Sequence, residues 1–222
     1  AVGVLQHGRL HRYNEAEGET AETALLEEEF AAAMGAKYAL AVTSGGFALA
    51  TALRAVGVEP GDTILTNAWT LSPVPGAIAA DGGQPIFVEV TESLVIDLED
   101  LVDKAAQNPR ARVLLLSHMR GHIVDMDKLM RVASTANLSV VEDCAHTMGA
   151  RWDGVRSGRH GLVGCYSTQT YKHMNSGEGG LLITDDSNVM ARAILLSGSY
   201  MLFEKHRAGP PAETFHNALY DT

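Results

Sequence analysis

Short apolar runs with strand character alternate with helical patterns along almost the whole chain. That alternation restricts the possible folds more than any other feature of the sequence. Strand patterns are expected at Ala39–Thr43, Thr63–Thr66, Pro85–Val90, Val113–Ser117, Ser139–Glu142, Gly164–Ser167 and Gly180–Thr184. Between them run helical patterns at Phe47–Val56, Leu98–Gln107, Asp125–Ala136 and Asn188–Ser197. An earlier amphipathic stretch, residues 21 to 34, sets Leu25, Leu26, Phe30, Ala33 and Met34 on one face, with Thr20 expected as N-cap and Gly35 as C-cap. Strands of this kind, separated by helices, are buried on both faces. The expectation is an α/β domain: a mixed, mostly parallel sheet of about seven strands with helices on both faces.

In such sheets ligands sit beyond the carboxyl ends of the strands. The residues that follow each strand therefore carry the functional argument: 44–47, 67–72, 118–122, 143–146 and 167–180. Composition narrows the ligand. With 17 Lys+Arg against 27 Asp+Glu the net charge is −10, which repels nucleic-acid phosphates, so no nucleic-acid partner is expected. No apolar run approaches the ~20 residues of a membrane helix, so no membrane partner is expected either. Cys144 and Cys165 stand alone, without disulfide or zinc spacing, which points to a reducing, cytoplasmic setting.

Three strand ends stand out. Thr43-Ser44-Gly45-Gly46-Phe47 lies at a strand-to-helix corner, where free N–H groups, a positive dipole end and glycines can cradle a phosphate or simply cap the helix. Val140-Val141-Glu142-Asp143-Cys144-Ala145-His146 delivers a carboxylate at the end of a buried strand, able to hold a protonated ring nitrogen, bind a metal or cap a helix. Tyr166 to Gly180 carries Lys172 between an apolar strand and a glycine turn; a desolvated lysine has a lowered pKa and can act as a Schiff-base nucleophile. Pyridoxal phosphate needs a phosphate cradle, an acid at its pyridine nitrogen and a lysine for its aldehyde. The chain supplies each directly after a strand.

The Glu-Asp-x-Ala-His-x-x-Gly run at 142–149, together with Ser167-x4-Lys172 and Gly177-Glu178-Gly179-Gly180, resembles the DegT/StrS family of pyridoxal-phosphate-dependent keto-sugar aminotransferases, which have the aspartate aminotransferase fold. The resemblance runs from about Gly35 to Asp186. It implies pyridoxal 5'-phosphate as cofactor, Lys172 as the aldimine lysine and Asp143 as the catalytic acid on the pyridine nitrogen. It further implies His146 near the ring hydroxyl, Ser167 on the phosphate, and Gly46 and Phe47 at the backbone positions that contact phosphate. Gly46-Phe47 replace the family's usual Thr-Ala. The aromatic that covers the cofactor ring falls on Leu71, with Trp69 the alternative for that face. His118-Met119-Arg120-Gly121 and Asp125-Met126-Asp127 echo a further family block on the substrate side.

By the same resemblance the partners are an amino donor (glutamate or glutamine), a keto-sugar and a second copy of the chain in a homodimer. The implied organisation is an N-terminal segment and helix (1–34), a cofactor-binding large domain (35–200) and the start of a connection (201–222) to a small C-terminal domain that the chain does not include. Two alternatives remain on the same fold: a regulatory or binding paralogue without turnover, and a sugar dehydratase in which a His stands for the lysine. No metal site is expected, because Gly8 and Gly121 break the helices that His7-x3-His11 and His118-x3-His122 would need.

Overall fold

The computed structural model describes residues 2–10, 12–199 and 201–218. Helices α1 (Val2–His7) and α2 (Glu22–Met34) come first. Strands and helices then alternate as β1 (Tyr38–Val42), α3 (Gly45–Ala55), β2 (Thr63–Asn67), α4 (Pro73–Ala80), β3 (Gln84–Val88), α5 (Leu98–Gln107), β4 (Val113–Ser117), α6 (Met126–Thr135) and β5 (Ser139–Asp143). A small hairpin of β6 (Arg151–Trp152) and β7 (Val155–Arg156) precedes β8 (Val163–Ser167), β9 (Gly180–Thr184), α7 (Ser187–Leu196) and α8 (Thr214–Ala218).

Seven strands form one sheet in the order β1-β9-β8-β5-β4-β2-β3. Only β9 runs against its neighbours, pairing antiparallel with β1 and β8, while the other pairings are parallel. The mixed, mostly parallel seven-stranded sheet expected from the sequence is thus the observed architecture.

Period-two alternation along the strands divides the core between the two faces. Ile64, Leu115, Val141, Cys165 and Leu182 pack with α3, α4, α7 and α8 on one face. Leu65, Leu114, Leu116 and Val140 pack with α5 and α6 on the other, where α2 covers Leu181 and Ile183 through Phe30 and Met34. Phe215 of α8 is buried and stacks on Phe203 at 4.1 Å between centroids. The stretch from 201 is described as far as Ala218, and the last four residues of the expected connection lie outside the described residues, as does His11.

Two local expectations are corrected. The N-cap of α2 is Ala21 rather than Thr20, and its side chain makes no capping bond. Thr20 Oγ1 instead accepts from Arg207 at 2.8 Å, and the Ala21 N–H donates to Glu15 at 2.8 Å. The buried face of α2 is also rotated. Ala24, Glu27, Phe30, Ala31 and Met34 face inward, whereas Leu25, Leu26 and Ala33 are exposed. The reason is Glu27, whose carboxylate takes both guanidinium nitrogens of Arg12 and the N–H of Ala41. Burial raises this carboxyl above its ordinary pKa, against the pull of Arg12. Gly35 caps the helix as expected, at φ 72°. Its left-handed backbone is the region where glycine escapes a Cβ clash.

Candidate active site

The carboxyl ends of β1, β8, β5, β4 and β2 converge on a cavity of about 370 Å³, within the range of small-molecule sites. One wall is the start of α3. Ser44 ends the β1 loop in an extended conformation, and its hydroxyl accepts the Phe47 N–H at 3.0 Å, capping the helix. The N–H groups of Gly45 and Gly46 precede the first intrahelical bond and have no acceptor among the described residues. A Cβ on Gly45 would stand 2.7 Å from Ser167 Cβ, so only glycine lets the helix start close against the end of β8. Two free N–H groups, a helix dipole and the Ser167 hydroxyl thus meet in one concave corner, a donor set suited to a phosphate.

Asp143 closes β5 and lines the same cavity. Its Oδ2 accepts the Ser117 hydroxyl at 2.8 Å and its Oδ1 the Ala145 N–H at 3.1 Å. Ser117 Oγ in turn accepts from Thr70 at 2.8 Å, and Asn67 locks the Ser117 backbone through both its amide atoms. Donors fix the carboxylate on both oxygens at the edge of the cavity, where a protonated ring nitrogen could meet it.

Lys172 follows β8 in a turn held by its own N–H to Gln169 O. Its Nζ lies 2.9 Å from His146 Nε2. Burial lowers the lysine pKa below its ordinary value, with Asp143 opposing and Arg120 assisting. His146 is lowered as well, first by burial and then by Lys172. The Arg120 backbone N–H points at His146 Nδ1 at 3.3 Å. The amine and the imidazole are thus partnered at hydrogen-bond distance, each with its pKa lowered.

Beneath Asp143 lies a buried polar centre. Glu142 Oε1 accepts the N–H groups of His160 (2.9 Å) and Gly161 (2.6 Å), and Oε2 that of Gly158 (2.9 Å), with His118 Nε2 at 3.0 Å. Burial would raise this carboxyl, but the His118 contact and the backbone donors outweigh it and leave it below the ordinary value. Ligand atoms of His118, Glu142 and Cys144 lie within 4.8 Å of one another, yet both Glu142 oxygens are already occupied by donors. The Asp143, Cys144 and His146 side chains diverge: Cys144 is buried against Ser157 at 3.2 Å, while the other two line the cavity.

The sequence pattern of the DegT/DnrJ/EryC1/StrS aminotransferase family matches residues 7–207. The chain belongs to this family. A putative L-glutamine:3-amino-2,3-dideoxy-scyllo-inosose aminotransferase of Micromonospora echinospora is 35% identical over 77% of the chain and 40% of its own length. DesV of S. venezuelae superposes with a TM-score of 0.80 at 32% identity, over 99% of this chain and 60% of that one. A GDP-4-keto-6-deoxymannose-3-dehydratase, solved with a trapped PLP-glutamate geminal diamine, superposes at 0.73 and 26% identity over 78% and 47% of the two chains. The chain spans about half the length, or less, of the curated relatives it matches.

Set against this family's expected site, Gly46, Leu71, Asp143, His146, Ser167 and Lys172 all line the one cavity. Phe47 and Trp69 do not. The Phe47 N–H is taken by Ser44, and its ring borders a separate hollow of about 630 Å³ beside Arg12 and Thr43. Trp69 is partly exposed and meets the site only through its carbonyl, which accepts from Asn67. Sequence reasoning missed Thr70, Ser117 and Asn67, which fix the orientation of Asp143. The available signal was polar residues closing or following two strands, β2 and β4, that any parallel sheet would bring near β5.

Proposed function

We propose that the protein is a pyridoxal-phosphate-dependent aminotransferase that moves an amino group from glutamate or glutamine to a keto-sugar. The observation that carries this reading is the juxtaposition of a lysine amine of lowered pKa and a hydrogen-bonded carboxylate in one cavity whose third corner is a bare helix N-terminus. The residues fit the cofactor. Gly45 N–H, Gly46 N–H and Ser167 would hold its phosphate, Asp143 its pyridine nitrogen, and Leu71 one ring face. His146 would lie near the ring hydroxyl, and Lys172 would bind the aldehyde carbon. When bound, the cofactor supplies an electrophilic carbon and a protonated ring that draws electrons from the carbon bearing nitrogen.

The chain's own groups do the rest. Lys172 Nζ, its pKa lowered by burial and its position held by His146, takes a proton from the substrate carbon and returns it. Asp143 keeps the ring nitrogen charged, because an ionised carboxylate in a poorly solvated site favours an opposite charge beside it. Ser117 and Ala145 hold that carboxylate against rotation. The dehydratase alternative calls for a histidine at the lysine's place. Lys172 lines the cavity and His173 does not, which favours transamination. Second copies of the chain and a cytoplasmic setting belong to the same proposal; among the described residues no helix is long and apolar enough to cross a membrane.

The experiment is spectroscopic. The protein with pyridoxal phosphate should develop the visible absorbance of lysine-bound cofactor and lose it on addition of L-glutamine or L-glutamate. Lys172→Ala should retain noncovalent cofactor without that band. A wild-type band that no amino acid bleaches would assign the protein to the non-transaminating paralogues.

A further inference from the structure

Arg120 is not accounted for by the cofactor. It sits in the 3₁₀ turn Met119–Gly121 after β4, with a left-handed backbone at φ 56°, ψ 19°. An arginine rarely adopts that region, and it persists where the surroundings impose it. Here the constraints are the Arg120 N–H on His146 and the Gly121 N–H on the His118 carbonyl at 3.1 Å. The guanidinium is exposed and makes no hydrogen bond or ion pair with any described residue. It is nevertheless close enough to lower the pKa of both Lys172 and His146. The two carboxylates at the cavity do not neutralise it. Asp143 is engaged by Ser117 and Ala145, and Glu178 forms no ion pair with it.

The phosphate corner already has its donors in the Gly45 and Gly46 N–H groups and the Ser167 hydroxyl, while Arg120 follows β4, two strands away from Ser167 at the end of β8. The exposed, unpaired guanidinium belongs to the turn whose N–H bonds His146, the residue that faces the Lys172 amine, and it is left for an anion on the substrate. In an amino acid the carboxylate is attached to the same carbon as the amine, so an amine delivered to Lys172 brings its carboxylate within one bond of the reacting carbon. A phosphate of a nucleotide-linked sugar lies several bonds further away. The planar fork of arginine matches a carboxylate in two parallel hydrogen bonds. We propose that Arg120 is a specificity-determining residue that receives the carboxylate of the amino donor, an assignment that rests on the aminotransferase reading.

The test uses Arg120→Asn, since asparagine tolerates the left-handed backbone, and Arg120→Lys, which keeps the charge without the fork. In the cofactor-loaded protein, the concentration of L-glutamate or L-glutamine that half-bleaches the band should rise at least tenfold in Arg120→Asn and by less in Arg120→Lys. The band should still form without donor, which loss of a merely structural role would not guarantee. Because the Arg120 charge acts on Lys172, each variant is compared at the pH where its own band is fully developed. Calorimetry with unreactive glutarate should show the same tenfold loss, while UDP, as a phosphate probe, should be unaffected. Unchanged half-bleaching in both variants, or a loss of UDP binding in place of glutarate, would overturn the assignment of Arg120 and leave transamination standing. A wild-type band that no donor bleaches would remove the aminotransferase reading itself.

Discussion

Glu142→Gln separates the buried polar centre from the chemistry above it. The side chain keeps its shape, but one acceptor oxygen becomes a donor amide. With the amide nitrogen at Oε1, the N–H groups of His160 and Gly161 both lose their acceptor; at Oε2 only Gly158 does, while His118 can change tautomer and accept. The second placement is the cheaper one. It leaves one buried N–H unpaired, at about 1–3 kcal/mol, and converts the remaining bonds from charged to neutral, at roughly 1–2 kcal/mol more. The sum, about 2–5 kcal/mol, overlaps the range for breaking a buried charged pair. At about 2–4 °C per kcal/mol for a domain of this size, the thermal midpoint followed by circular dichroism should fall by roughly 4–20 °C. Acid supplies the control. The folded carboxyl lies below its ordinary value of 4.5, so its contribution is complete above that pH and disappears as pH falls through the lower folded value. The gap between wild type and Glu142→Gln should therefore close on acidification. A variant melting within about 2 °C of wild type at pH 7 would show that the four donors do not carry the stability assigned to them.

Gly45→Ala places a methyl group 2.7 Å from Ser167 Cβ and should weaken pyridoxal phosphate binding at least about tenfold, or 1.4 kcal/mol, whereas Gly46→Ala makes ordinary contacts with Pro73 Cβ at 3.8 Å and Ser44 Oγ at 3.9 Å and should fold normally; equal cofactor titrations for Gly45→Ala and wild type would remove the cradle. Asp143→Asn should lower turnover by about 100-fold or more at unchanged fold, and wild-type kinetics there would take Asp143 out of the mechanism. His206, buried against Tyr13 and Ser199, has its pKa pushed down to about 3 by burial and by Arg12. The unfolded chain binds its proton near 6.5, so stability should decline as pH drops below that value, by about 2 kcal/mol at pH 5 in urea titrations. His206→Gln should flatten this slope.

The sheet was legible because its signals are local. Val113–Ser117 and Gly180–Thr184 are apolar runs closed by turns, and each is found where its own composition places it. Helix α4 was not legible: Pro73, Pro75 and Gly76 mask it, although a proline at its first position needs no N–H partner and its fixed φ suits a helix start. The face of α2 was misread for a different reason. Apolar periodicity favours Leu25 and Leu26, while the structure buries Glu27 to reach Arg12 and Ala41, a choice made by groups 14 and 15 residues away in sequence. At the site, motif spacing pointed to Gly46, Leu71, Asp143, His146, Ser167 and Lys172, which border the cavity, and to Phe47 and Trp69, which do not, and long-range hydrogen bonding determined how the site is held. Thr70, Ser117 and Asp143 come from three different strand ends, and no periodicity links them.

That division explains why the amine and the acid can coexist in one cavity. Lys172 and Asp143 would form an ordinary ion pair if each were free to turn toward the other, and the amine would then stay protonated. The scaffold holds each to a separate partner instead. Ser117 and Ala145 occupy the carboxylate, and His146, held at Nδ1 by the Arg120 N–H, faces the amine through Nε2. Loosening either tether should therefore raise the lysine pKa before it alters the fold. If, in Ser117→Ala, the pH midpoint for the rate at which the cofactor-free protein captures pyridoxal phosphate shifts upward while the melting temperature changes by less than about 3 °C, the arrangement is distinguished from simple burial of the lysine, which predicts no shift.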